Sequence, residues 1–159
     1  MSDPTYIVQF NLYYADESGY NTGHSNVTVE KIDENGVVTK YVFGANSSGG
    51  NVGTWVNPYS KELDGIIGQD IEDWVPDNPT IPIGGVVSAE MSISETDYQK
   101  ILDFMEPYTG NDYTGNFTTN YDVFASVNPM SPNGSWSCYS FSQHIYELGS
   151  THTDKYVIQ

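Results

Sequence analysis

Apolar and polar side chains nearly alternate along Tyr6-Ile7-Val8-Gln9-Phe10-Asn11-Leu12-Tyr13, which predicts a strand with one face on a core. The stretch from Asp16 to Gly23 is polar and glycine-bearing, hence a loop, and alternation resumes at His24 through Val27, Val29 and Ile32. Asp33-Glu34-Asn35-Gly36 is a reverse-turn signal, because Asn and Gly tolerate positive φ, and Val37 to Phe43 then runs back. Residues 24–43 are therefore expected to form a β-hairpin with His24 at its mouth.

The pattern lapses from Gly44 to Gly85, where Gly, Asn, Ser, Asp and Pro dominate around Trp55 and Trp74. This reads as a long irregular insertion at about 44–85, of the kind that packs down as a cover. Val86 to Met91 returns to strand character. Ser94-Glu95-Thr96-Asp97 resembles an N-cap with acids in the first turn, and Tyr98, Ile101, Leu102 and Met105 follow at helical spacing until Pro107 is expected to stop the helix. Tyr108 to Asn120 reads as polar, aromatic loop, Tyr121 to Phe124 as a short extended or helical piece, and Asn128 to Gly134 as irregular because of its two prolines. Phe141, Ile145 and Leu148 then form the stripe of a second helix, capped by Ser135 or Ser137 and ended by Gly149, with Cys138 in its first turn. Tyr156-Val157-Ile158 is expected to be one more strand. No internal repeat is visible.

A chain of 159 residues has room for one domain with a real core, so residues 1–159 are read as a single α+β domain. Its cations are five lysines, with no arginine, against 21 acidic residues, for a formal net charge of −16. Such a surface repels phosphate, which argues against nucleic acid as a partner. No apolar run approaches the length that crosses a bilayer, and Met1-Ser2-Asp3-Pro4 does not open a Sec-type signal. The expectation is a soluble protein without a membrane span, cytoplasmic or exported by a signal-independent route. One cysteine cannot form an internal disulfide.

The sharpest chemical feature is Gly134-Ser135-Trp136-Ser137-Cys138-Tyr139-Ser140-Phe141-Ser142. A thiol in the first helical turn lies near unpaired backbone N–H groups and the positive end of the helix dipole, which favour thiolate. A lone cysteine is also commonly a small buried hydrophobe, so a base is needed to make it a nucleophile. Among the three histidines, His144 lies on the same helix, about 240° around from Cys138 at 100° per residue, and so points elsewhere. His152 falls in a polar tail that fixes no position. His24 opens a strand, where a sheet could hold an imidazole against a helix N-terminus.

The order of strand, Gly23-His24 opening a hairpin, Tyr41-Val42-Phe43-Gly44 returning, a helix, then Tyr121-Asp122-Val123-Phe124 ahead of Ser137-Cys138 and Phe141 resembles the permuted papain-like cysteine hydrolases. These include the PPPDE peptidases, the lecithin:retinol acyltransferase-like enzymes and permuted relatives of the NlpC-type amidases. The resemblance implies a small antiparallel sheet packed against helices, with the nucleophile Cys138 at a helix N-terminus and His24 as general base. The residue before the cysteine is Ser137, where the PPPDE pattern has Asn. The activity implied is amide cleavage through a thioester, on peptide or peptidoglycan substrate, in the manner of an antibacterial effector met by a protein inhibitor or immunity partner. Isopeptide cleavage of the deubiquitinase or deSUMOylase kind is the alternative within the same chemistry, and acyl transfer on lipids ranks behind both.

A third group often orients the base. If the Asp33 to Gly36 turn centres the hairpin, residues 45–47 lie across from His24, and Asn46 or Ser47 could accept from its second ring nitrogen. Asn46 is the preferred candidate. Asp70, Glu72, Asp73 and Asp77 lack the spacing of a calcium loop and read as solvated loop charge, and no spacing supports zinc. No cofactor or metal is expected. From a different class, a noncatalytic acidic module that docks a basic partner, as an immunity protein does, also fits the charge.

Overall fold

A computed structural model of the protein describes residues 3–13, 24–47, 63–70, 86–121 and 138–150. The first alternating run forms β1 (Thr5–Tyr13) and the expected hairpin forms β2 (His24–Ile32) and β3 (Val38–Ser47). Its turn is held by the Asp33 carboxylate, which accepts from the N–H groups of Asn35 and Val37 at 2.8 Å each, and Gly36 supplies a φ of 83°. Three further strands, β4 (Leu63–Gln69), β5 (Val86–Ile93) and β6 (Asn116–Tyr121), complete an open antiparallel sheet in the order β5-β1-β2-β3-β4-β6. Helices α1 (Glu95–Thr109) and α2 (Cys138–Gly149) pack against it. The class is α+β, as expected.

Three expectations need correction. The segment 44–85 is not wholly irregular, because β3 continues to Ser47 and β4 lies within it; residues 48–62 and 71–85 lie outside the described part. The stretch read as loop from Tyr108 to Asn120 contains the end of α1 and the start of β6. Pro107 does not stop α1, which runs two residues further. Proline near the end of a helix removes one hydrogen bond from its final turn, and here Gly110, at φ 80°, ends the helix with its N–H bonded to Glu106 O at 2.9 Å. The N-terminus is capped as expected, with Ser94 Oγ accepting from Asp97 N at 3.0 Å. The pieces expected at Asp122–Phe124, Asn128–Gly134 and Tyr156–Ile158 lie outside the described residues, as does His152.

The core lies between one face of the sheet and both helices. Val8 of β1, Val27 and Val29 of β2, Phe43 and Ala45 of β3 and Ile67 of β4 meet Ile101 and Met105 of α1 and Phe141 and Ile145 of α2, all essentially without exposure. Because side chains alternate across a strand, Asn11, Asn26 and Thr28 point to the opposite face, where they too are buried. At the far end of α2, Gly149 lets the helix close on the sheet: an added Cβ would lie 3.0 Å from Val8 Cγ1. This packing directs the other end of α2, with Cys138, towards the beginning of β2.

Candidate functional site

Three segments meet at that end of the sheet. His24 is the first residue of β2, Asp70 follows the last residue of β4, and Cys138 is the first residue of α2. His24 Nε2 lies 2.7 Å from Asp70 Oδ2, with the two side chains 5% and 4% exposed, so this contact is shielded from water. The Cys138 side chain lies close enough to the imidazole to help raise its pKa. Tyr13, the cross-strand neighbour of His24, is buried and lies nearly parallel to the imidazole at a ring separation of 6.3 Å.

Local geometry explains why Asp70 sits there. Its N–H bonds Val42 O at 2.8 Å, and the preceding Gln69 N–H bonds Gly115 O at 3.2 Å, which pins the chain as it leaves β4. Gly68 adopts a φ of 150°, and a Cβ there would come within 2.4 Å of Gly115 O, so only glycine fits that crossing. Gly44 leaves the space the carboxylate fills, since a Cβ on it would lie 2.4 Å from Asp70 Oδ2.

The charges of the three groups reinforce one another. Burial alone would push the His24 pKa down, but the bond to Asp70 and the contact with Cys138 outweigh it and raise the value from 6.5 to about 9. At neutral pH the imidazole therefore holds its proton between a carboxylate and a sulfur. Cys138 is half-buried, with its side chain against the core, and its position at the start of α2 adds the favourable helix dipole. A protonated imidazole beside a cysteine sulfur at a helix N-terminus has the parts for nucleophilic attack on a carbonyl and for proton return to a leaving group.

Cys138 and His24, singled out in the sequence, are thus brought together across more than a hundred residues of chain. Asn46, expected across from His24, has its backbone in β3 opposite Ile66, because β2 pairs with β3 out to Val27 and Phe43 and β3 then continues alongside β4; its side chain lies outside the described residues. The group on Nε2 is Asp70, which the sequence pattern had placed among solvated loop charges; Glu72, Asp73 and Asp77 lie outside the described residues. The overlooked signal was the run Leu63-Asp64-Gly65-Ile66-Ile67-Gly68-Gln69, a short strand whose two glycines obscured its alternation. His144 is half-buried, packs edge-on against Phe104 at 4.8 Å between ring centres, and belongs to the packing of α2 on α1. Among the described residues no group of three or more His, Cys, Asp or Glu side chains is arranged to hold a metal, and no helix is long and apolar enough to cross a membrane. No family model, curated protein or solved structure matches the chain.

Proposed function

We propose that the protein is a thiol hydrolase that cleaves an amide bond, with Cys138 as nucleophile, His24 as its acid–base partner and Asp70 orienting the histidine. The observation that carries this reading is the convergence of sulfur, imidazole and carboxylate from three distant segments, with the imidazole between the other two. A buried cysteine serving only as packing has no need of a histidine whose other nitrogen is tied to a buried carboxylate.

In the proposed reaction the thiolate adds to the substrate carbonyl carbon, and the backbone N–H of Cys138 serves as a donor to the developing oxyanion. His24 gives its proton to the departing nitrogen, the C–N bond breaks, and an acyl thioester remains on Cys138. Water then adds to the thioester carbon while His24 takes its proton. Collapse breaks the C–S bond, releasing the acid and restoring the thiolate–imidazolium pair. The neighbouring Asp70 carboxylate stabilises the imidazole whenever it carries the second proton.

The substrate class we favour is the peptide part of peptidoglycan, ahead of isopeptide-linked proteins. Its support is the resemblance of the Gly23-His24 and Ser137-Cys138 segments to the permuted papain-like hydrolases. The test is incubation of wild type, Cys138→Ala and His24→Ala with purified peptidoglycan and, separately, with ubiquitin-like conjugates, followed by mass spectrometry. Products that wild type makes, that vanish in Cys138→Ala and that fall about 10²–10⁴-fold in His24→Ala are expected. Unchanged turnover in Cys138→Ala would remove the mechanism. A wild-type thiol that iodoacetamide labels no faster than free cysteine near neutral pH would favour a noncatalytic acidic module instead.

A further inference from the structure

The carboxylate of Asp70 has a second buried partner besides His24. Asn26, two residues along β2 and fully buried, directs its side-chain amide nitrogen at the same oxygen, Oδ2, at 3.3 Å. An amide side chain can present either its nitrogen or its oxygen, and Asn26 is turned by what lies behind it. Its Oδ1 accepts from Asn11 Nδ2 at 3.0 Å, which leaves nitrogen facing Asp70. Asn11 is 3% exposed and is fixed in turn: its Nδ2 also reaches Thr28 Oγ1 at 3.0 Å, and its Oδ1 accepts from Gln9 Nε2 at 2.7 Å and Ser88 Oγ at 2.9 Å. The chain of bonds crosses from β5 through β1 and β2 to the end of β4, on the face away from the helices. A reversed Asn26 would set oxygen against carboxylate and nitrogen against the amide nitrogen of Asn11, two repulsions at once in a buried setting.

We infer that Asn26, oriented by Asn11, holds the Asp70 carboxylate in the position from which it grips His24, making the two asparagines positioning residues of the thiol site. The inference rests on the thiol-hydrolase reading and adds to it a group that acts through Asp70. A carboxylate in a pocket can swing about its Cα–Cβ bond. Gly44 makes the space but offers no donor, whereas Asn26 supplies a directed N–H that favours both this orientation and the ionised form. Charged or titratable groups beside His24 include Asp70, Cys138 and the stacked Tyr13, and the bond from Asn26 to Asp70 links a change at Asn26 to the thiol.

The test measures iodoacetamide alkylation of Cys138 as a function of pH in the full chain, for wild type, Asn26→Leu, Asp70→Asn and the double variant. Wild type is expected to show a depressed midpoint. Asn26→Leu is expected to raise that midpoint by about one pH unit, and so slow alkylation about tenfold below it. In the Asp70→Asn background the same substitution should add nothing further, because its target is gone. Equal shifts in both backgrounds, or none in wild type, would overturn the inference while leaving the thiol site standing; an ordinary midpoint in wild type would remove both. Asn26→Ser, too short to reach Asp70, provides the same comparison if Asn26→Leu does not fold, with circular dichroism verifying each variant.

Discussion

At the scale of single residues, the site depends on a missing methyl. Gly44 is buried and its backbone does not require glycine, but a side chain there would occupy the space of the Asp70 carboxylate. Gly44→Ala should therefore slow Cys138 alkylation at pH 6 much as Asp70→Asn does. It should also cost about 1–3 kcal/mol in urea unfolding, the usual penalty for overpacking. The raised pKa of His24 makes a second prediction at this scale. Its proton is held more tightly in the folded chain, about 9 against 6.5 unfolded, so the associated stability is complete below pH 6.5 and is lost as pH rises through 9. Thermal midpoints measured from pH 6 to pH 9.5 should fall across that window, and Asp70→Asn should flatten the fall.

At the scale of elements, α2 is the part that delivers the sulfur, and Phe141 and Ile145 anchor it without any exposure of their own. Phe141 also lies 6.1 Å from Phe104 of α1, tying the helices together. Phe141→Ala should lower stability by about 3–5 kcal/mol in chemical denaturation, and slow alkylation in whatever remains folded as the start of α2 loosens. The elements also show how far the chain could be read directly. Each part of the hairpin, the capped start of α1 and the stripe of α2 rests on neighbours close in sequence, and each was legible. Cys138 and His24 stood out because both begin an element. Asp70 did not, because its role depends on β4 pairing with β3 and β6, contacts made far along the chain, and because nearby acids give it the look of a solvated loop. Continuing the hairpin outward from Val27 and Phe43 points to Asn46, whereas β3 there passes on to β4 and the carboxylate on Nε2 is that of Asp70.

At the scale of the whole molecule, the net charge of −16 is spread over a chain with five lysines. Like charges on a compact body repel, so added salt should raise the thermal midpoint by a few degrees between about 0.01 M and about 1 M NaCl, as the screening length falls from about 30 Å to about 3 Å. A decrease across that range would show that specific ion pairs, such as that of Lys100 with the buried Asp97, outweigh the general repulsion. Under the proposed function the same field repels a polyanionic wall at long range, so attack on its peptides has to rely on short-range contacts.

The distribution of the three groups along the chain also sets an order of events during synthesis. The imidazole and its carboxylate belong to β2 and to the end of β4, and can pair as soon as the first half of the sheet has formed. The sulfur is made after every described strand, on the final described helix. A growing chain thus holds imidazole and carboxylate together before the sulfur exists, and the three groups come together only when α2 docks.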